Sequence, residues 1–145
     1  MFETSKSVLS LDEVMDLIYK IGARISLSKE ALANFADQSA DCGAPHIRCD
    51  HSYHWIVVER GKEIEHRQTP VLDDLLYWAF EATTFALAVK YELQHRNLAE
   101  DNRRIMWRYQ LDLLQKLYPA WRDRLEQKID NILKDHPYRD RRYVG

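Results

Sequence analysis

The stretch that decides the fold is TPVLDDLLYWAFEATTFALAVKYELQHR, Thr69–Arg96, because it is the only segment too apolar to leave one face in water. Thr69 supplies a capping hydroxyl, and Pro70 suits the first position of a helix. Asp73 and Asp74 place negative charge near the positive end of the helix dipole. Apolar residues recur at three- and four-residue spacing and also fill the opposite side. The pattern predicts a helix over Thr69–Arg96 that is covered on most of its circumference.

The apolar part of this helix is too short to cross a membrane. It runs from Leu75 to Val89 and contains Glu81, whereas a bilayer requires roughly 17 to 25 apolar residues. We therefore expect no membrane-spanning segment.

Before this helix the pattern changes to that of a β-hairpin. Tyr53–Glu59 is rich in aromatic and β-branched residues, and Glu63–Gln68 follows a two-residue turn at Gly61 and Lys62. The predicted faces are Trp55, Val57, Glu59, Ile64, His66 and Gln68 on one side, and Ile56, Val58, Glu65 and Arg67 on the other. A lone hairpin is marginally stable, so a third strand over residues 46–49, or a helix packed on one face, is expected.

The N-terminal region predicts two helices and a loop. Ser10 and Glu13 form a capping box that begins an amphipathic helix. Ser28 caps a short second helix, and Asp37–Pro45 has the small and polar residues of a loop.

Two further helices are predicted after the central one. Asn97 acts as a left-handed terminator, and a long helix then runs from Glu100 to Leu117. Pro119 begins another helix, which Pro137 ends. The last residues, 139–145, have no apolar period and are expected to form a frayed tail.

Length and composition favour a single domain of the α+β class, mostly helical. The chain has 145 residues with only four Gly and four Pro, which suits a compact helical protein. We predict a small antiparallel β-hairpin or three-stranded sheet with a bundle of about four helices. Within this one domain, residues 1–50 form an N-terminal helical region and residues 51–138 form the hairpin and the long helices.

Charge and cysteine content narrow the class of protein. The net charge is −2 at pH 7, which favours neither a nucleic-acid binder nor an acidic mimic of nucleic acid. Two cysteines, Cys42 and Cys49, are too few to indicate a disulfide framework, and the N-terminus lacks the pattern of a secretory signal. We therefore expect a cytoplasmic protein.

Two groups of residues have the side-chain types of metal ligands. The first is the set Cys42, His46, Cys49, His51 and His54. Its spacing lacks the two tight pairs that are typical of structural zinc sites. We interpret the cysteines as small apolar residues of the interior, and His51 and His54 as ordinary residues at the start of a strand.

The second group is Glu92 with His95, an E-x-x-H pair, together with Glu81 three turns earlier on nearly the same face. A di-metal bundle needs the same pair on a second helix, and the other such pair in this chain, Glu63–His66, lies in a predicted strand. We expect Glu81 and Glu92 to pair instead with arginines of the next helix, namely Arg103, Arg104 and Arg108. Neither a metal nor another cofactor is predicted.

Motifs of catalysis are absent from the sequence. It contains no nucleophile elbow, no Gly-rich loop before a helix and no H-E-x-x-H. The sequence therefore predicts a protein that is not an enzyme. The alternative is a metal-dependent helical-bundle enzyme that uses Glu81, Glu92 and His95.

A face of the helix after Asn97 combines basic and aromatic residues. Arg104, Trp107 and Arg108 share this face, and Trp and Arg are enriched in the hot spots of protein–protein interfaces. We predict these three as partner-binding residues, with Asp73, Asp74 and Trp55 as secondary candidates. The simpler alternative is a half-buried Trp107 with arginine stems lying over it and no partner.

The order of these patterns resembles the immunity protein 63 family of bacterial polymorphic-toxin systems. The resemblance depends on YHWIVVERGKEIEHRQT, LDDLLYWAFEATTFALAVKYELQHR, DNRRIMWRYQLDLLQKL and the segment from Trp121 to Leu133 that closes at Tyr138. It covers roughly residues 53–138 and consists of whole-segment patterning without a catalytic signature.

This resemblance implies a small cytoplasmic protein that binds a cognate toxin domain and blocks it. The implied partner is a protein, not nucleic acid or a membrane. A general interaction or regulatory module is the further alternative, and the sequence does not indicate an oligomeric state. Because the chain is not strongly acidic, inhibition through a shape-matched surface suits it better than mimicry of nucleic acid.

Overall fold

The computed structural model describes residues 7–141. The chain is 59% helical, with five α-helices and a three-stranded antiparallel sheet in this range, which confirms the predicted α+β class. It folds as two compact units, one up to Ala79 and the other from Phe80 onward. No helix in the described range is long and apolar enough to cross a membrane.

The first unit begins with two capped helices. Helix α1 spans Leu11–Gly22 and helix α2 spans Lys29–Leu32, and each is followed by a short 3-10 helix. The Ser10 hydroxyl accepts a hydrogen bond from the Glu13 amide at 3.1 Å, and the Glu13 carboxylate accepts one from the Ser10 amide at 3.1 Å. The Ser28 hydroxyl accepts from an amide of α2 in the same way. Both predicted helix starts are therefore confirmed.

The sheet consists of β1 (Cys42–Cys49), β2 (Tyr53–Glu59) and β3 (Lys62–Thr69), in that order. The predicted third strand is confirmed, but it begins at Cys42, so the prediction of a loop through Pro45 was wrong. Gly43 has a φ of +83°, and the pairing with β2 shifts between Cys42 and Pro45. This irregular start needs the small residues that suggested a loop.

The predicted register of the β2–β3 hairpin was wrong. Arg60 and Gly61 form the turn with φ values of 52° and 74°, the pattern of a type I′ turn. Because this turn lies one residue earlier than predicted, Glu59 pairs with Lys62, which is a register shift of two residues and keeps the faces. The irregularity between Val57 and Val58 then changes the register by one residue, so Trp55 lies opposite Arg67 and not opposite Gln68. Beyond this irregularity the predicted grouping of side chains into faces is exchanged.

Burial differs sharply between the centre and the edge of the sheet. On β2, Trp55 and Ile56 are each 2% exposed although they point to opposite faces. The ring of Phe35, from the second 3-10 helix, lies 5.6 Å from that of Trp55. Edge strand β3 is mostly exposed, and its charged residues discourage pairing with other chains. Ile64, which is 59% exposed, lies at the irregularity in the β2–β3 pairing.

A chain of short contacts crosses from β2 to β3. His54 Nε2 lies 2.7 Å from a carboxylate oxygen of Asp50, and His54 Nδ1 lies 2.7 Å from His66 Nε2. His66 Nδ1 lies 2.6 Å from a carboxylate oxygen of Glu63. Ser52 approaches the same His54 nitrogen as Asp50, at 3.4 Å, so the three groups do not form a catalytic triad.

Helix α3 spans Leu72–Gln94, within the predicted Thr69–Arg96. Thr69 ends β3, and its hydroxyl accepts from the Val71 amide at 3.0 Å and donates to the Asp74 carboxylate at 2.9 Å. The helix therefore begins two residues later than Pro70 suggested. Asn97 does not have positive φ, so the prediction of a left-handed terminator was wrong.

The two halves of α3 differ in burial. Leu75, Leu76 and Tyr77 are buried in succession, as expected for a helix that is covered on most sides. In the second half the buried residues recur at four-residue spacing, namely Thr84, Ala88 and Glu92. Phe85 and Leu93 on the intervening surface are 47% and 61% exposed. The predicted coverage therefore applies to the first half only.

The second unit contains the remainder of α3 with α4 (Asn102–Leu117) and α5 (Pro119–Asp135). Phe80 stacks on Trp121 with ring centroids 5.6 Å apart. The buried Gln110 amide donates to the Thr84 hydroxyl at 3.2 Å and to the Glu81 carbonyl at 3.1 Å. Aromatic stacking and this polar contact together join the three helices.

Candidate partner-binding site

The site is built at the start of α4, where Asp101 is the helix cap. The Asp101 carboxylate accepts from the Arg103 amide at 3.0 Å, from the Arg103 guanidinium at 2.8 Å and from the Arg139 amide at 2.8 Å. The Arg103 hydrogen bond holds the pKa of this carboxyl well below its ordinary value of 3.8. Asp101 is therefore a largely buried anion whose charge is satisfied by hydrogen bonds.

The chain after α5 returns to this cap. The Asp140 carboxylate accepts from the Asp101 amide at 2.9 Å and from two nitrogens of Arg104 at 2.9 and 2.8 Å. The Arg141 amide donates to the Ala99 carbonyl at 3.0 Å. The prediction of a frayed tail was thus wrong for residues 139–141, and residues 142–145 lie outside the described range.

Tyr138 is the aromatic residue on which the arginines near this helix cap are placed. The guanidinium carbon of Arg104 lies 4.0 Å from the centroid of the Tyr138 ring, and that of Arg103 lies 5.4 Å from the centroids of both Tyr138 and Trp107. Burial raises the pKa of Tyr138 above its ordinary value of 10.0. The arginines and rings therefore hold one another in fixed positions.

A groove of about 200 Å³ opens beside Tyr138. We call it the arginine groove, and its lining residues are Arg104, Trp107, Arg108, Leu111, Asp112, Arg122, Ile129 and Tyr138. Trp107 is only 8% exposed, which agrees with the alternative that arginine side chains lie over it. The three predicted residues of α4 are thus brought together in one concave surface.

The charges of the arginine groove are unevenly paired. Arg104 is held by Asp140, and Arg122 approaches Asp112 only to 3.8 Å. Arg108 is exposed, and within residues 7–141 it has no ion pair. The groove therefore presents positive charge that no other residue within 7–141 neutralises.

The secondary candidates occupy different places in the first unit. Trp55 is 2% exposed and lies under the Arg67 guanidinium, whose carbon is 5.6 Å from the ring centroid. Asp74 is bonded to Thr69 at the start of α3, and Asp73 is partly exposed on the same turn. Trp55 is therefore a core residue of the sheet, whereas Asp73 and Asp74 lie partly exposed in the first turn of α3.

Glu81 and Glu92 are paired, but the predicted partners were wrong. The Lys128 ammonium donates to both Glu81 carboxylate oxygens at 3.1 and 3.2 Å. Arg96 binds both oxygens of the buried Glu92 at 3.1 Å. His95 donates from Nδ1 to the Tyr91 carbonyl at 2.9 Å. Arg103 and Arg104 bind aspartates instead, because Asp101 and Asp140 lie closer to them.

Neither group of metal-ligand types is assembled as a site. In the part of the chain that the structure describes, no three His, Cys, Asp or Glu side chains are placed to hold a metal ion. Both cysteines are free thiols, and Cys42 is exposed, so its prediction as a small apolar residue of the interior was wrong. Burial raises the pKa of Cys49 to about 11, so this thiol stays protonated at neutral pH.

Three other concave surfaces lie in the described part of the second unit, and one of them, of about 240 Å³, adjoins the arginine groove and shares Arg108 and Asp112 with it. An apolar cleft of about 340 Å³ is lined mainly by residues of α3, α4 and α5, including the exposed Phe85. A larger polar groove of about 530 Å³ follows the connection from α3 to α4. We favour the arginine groove over the apolar cleft and the polar groove, because it combines exposed arginine with aromatic residues, and the charges lining the polar groove include the already paired Asp101 and Asp140.

Sequence reasoning missed two important residues of the arginine groove. Neither Tyr138 nor Arg122 was among the predicted site residues. Neither has a sequence neighbour that signals its position, because both reach the groove through the packing of α5 and the returning chain.

Comparison with known protein families finds one family whose model matches more than half of the chain. The family model described as immunity protein 63 matches residues 50–131, which is more than half of the chain. The matched range runs from just before β2 through most of α5 and includes all lining residues of the arginine groove except Tyr138. No curated protein and no solved structure matches the chain.

Proposed function

Because the chain belongs to the immunity protein 63 family, we propose that it neutralises a cognate bacterial toxin domain by binding it tightly, without catalysis. In this proposal the protein acts in the cytoplasm, its partner is a protein and not nucleic acid or a membrane, and no cofactor takes part. The near-neutral net charge supports a protein partner over nucleic acid.

The arginine groove is the surface that supports this function best. Arg104 is already fixed by Asp140 and Tyr138, so it loses little conformational entropy when a partner binds. Arg108 is exposed and can meet a partner directly. Arginine and aromatic residues around a small concave surface are the composition of an interface hot spot.

Two other functions are separable by simple measurements. A metal-dependent helical enzyme would use Glu81, Glu92 and His95, and the purified protein would then contain metal at close to one equivalent or more. A general interaction module would bind a protein other than a toxin. Elemental analysis and identification of the neighbouring gene distinguish both from an immunity protein.

Co-expression with the toxin domain encoded by the adjacent gene tests the proposal. We expect the wild-type chain to restore growth and to form a stable one-to-one complex that survives gel filtration. Growth arrest in spite of normal expression of the chain, or the absence of any complex, would overturn the proposed function.

A further inference from the structure

We propose that the arginine groove accepts an acidic side chain of the toxin domain, presented next to an apolar residue. The inference rests on the proposed function and specifies the chemistry of the partner at this site.

The charge of the groove favours an acidic occupant. Three guanidinium groups line it, and Asp112 is its only lining carboxylate among the described residues. The chain as a whole is slightly acidic, so this positive charge is a local feature. Arg108 has no ion pair within residues 7–141, and the 3.8 Å separation of Arg122 from Asp112 leaves that guanidinium loosely held. A carboxylate that enters meets both of these groups.

Arg104 contributes a donor that is already oriented. Its Nε and Nη2 bind Asp140, and its guanidinium lies on the Tyr138 ring. Nη1 has no hydrogen-bond partner among the described residues. A charge-assisted hydrogen bond from Nη1 would therefore form without first ordering a flexible side chain.

The walls of the groove explain why an apolar residue should accompany the carboxylate. Trp107 and Ile129 are buried, and Leu111 and Tyr138 are partly buried. Apolar walls exclude water and so strengthen attraction between charges. A volume of about 200 Å³ admits one or two side chains. A nucleic-acid backbone would instead require a longer track of basic groups.

The test measures association of the purified chain with its cognate toxin domain at low and high ionic strength. We expect Arg108→Glu to slow association by at least about tenfold at low salt, and this effect should shrink at high salt. Arg122→Glu should slow association as well.

Lys90→Glu is the matched control, because Lys90 is an exposed residue of α3 that lines neither the arginine groove nor the apolar cleft. The Lys90→Glu variant should bind the toxin domain like the wild type. Reversal of one acidic residue on the toxin should restore binding to the Arg108→Glu variant.

The outcomes separate this inference from the proposed function. If the wild-type chain binds the toxin and both arginine variants bind equally well while melting normally, the acidic-segment proposal is wrong and the immunity function stands. If the wild-type chain does not bind the toxin, both proposals fail. Binding of an RNA oligonucleotide at this groove, with toxin affinity unchanged in the variants, would also overturn the inference.

Discussion

Asp101 combines three tasks in one side chain. It caps α4, fixes Arg103 and accepts the amide of Arg139, so it connects the helix start to the chain that returns after α5. Its side chain is only 9% exposed. A largely buried carboxylate of this kind is stabilising only while all its donors remain in place.

Asp101→Ala should lower the free energy of unfolding by about 2 kcal/mol, because it removes a helix cap and leaves the Arg103 and Arg139 donors without their acceptor. Urea unfolding measures the change. Asp112→Ala is the matched control on the same helix, since Asp112 is 64% exposed and only loosely paired, and it should cost less than about 0.5 kcal/mol. Equal destabilisation by the two variants would contradict this role of Asp101.

For single residues, the ion-pair partners of charged side chains were the hardest feature to predict. That Glu81 and Glu92 need cations followed from their position on an apolar helix. Which cations they bind did not follow, because Lys128 and Arg96 offer the same charge as the arginines of α4 and only the packing of the helices decides between them.

Among the elements, the hairpin shows how a turn and a strand irregularity together determine a register. The sequence suggested Gly61 as the first turn residue, because glycine adopts positive φ readily. The chain instead places Arg60 there, with a φ of 52°. The strands themselves were predictable from their residue types. The assignment of faces was not, because it depends on the extra residue Ile64 between the partners of Val57 and Val58, which no residue type in the sequence indicates.

Arg60→Asn should raise the free energy of unfolding by about 0.5 to 1 kcal/mol, because asparagine adopts left-handed backbone at lower cost than arginine and Asn-Gly is the preferred pair in type I′ turns. Thermal denaturation is the measurement. Arg60→Lys keeps both the charge and the conformational cost, so it should melt like the wild type. A melting temperature of Arg60→Asn at or below that of Arg60→Lys would refute the turn assignment.

At the scale of the whole molecule, several ionisable groups respond to acid in the same direction. Hydrogen bonds lower the pKa of Asp50 to about 2 and also lower the pKa of Asp37, Asp101 and Asp140. Burial lowers the pKa of His46 below its ordinary value of 6.5. In each case the unfolded chain binds protons more readily than the folded chain.

The free energy of unfolding should therefore fall as the pH decreases, first slightly below pH 6.5 because of His46 and then steeply near and below pH 4 because of the aspartates. The stabilisation by the aspartates is complete above their ordinary pKa. Chemical denaturation from pH 7 to pH 3 measures the profile. Asp101→Asn should flatten its acidic part, and a stability that is constant down to pH 3 would refute the prediction.

Site residues that are close together in the sequence could be predicted, whereas those that are far apart in the sequence could not. Arg104, Trp107 and Arg108 share a helix face, so their proximity was visible in the sequence. Asp140 and Tyr138 complete the site from more than one helix away, with Arg104 and Asp140 separated by 36 positions. Local periodicity contains no information about such a return, which also explains why residues 139–141 were expected to be frayed.

The contact between His54 and His66 has a consequence for the cohesion of the sheet edge. Three short side-chain contacts join Asp50, His54, His66 and Glu63 in series. Asp50 directly follows β1, His54 lies in β2, and His66 and Glu63 lie in β3. Edge strand β3 is thus tied to the rest of the sheet by side chains as well as by the backbone ladder, and peeling it away would break both.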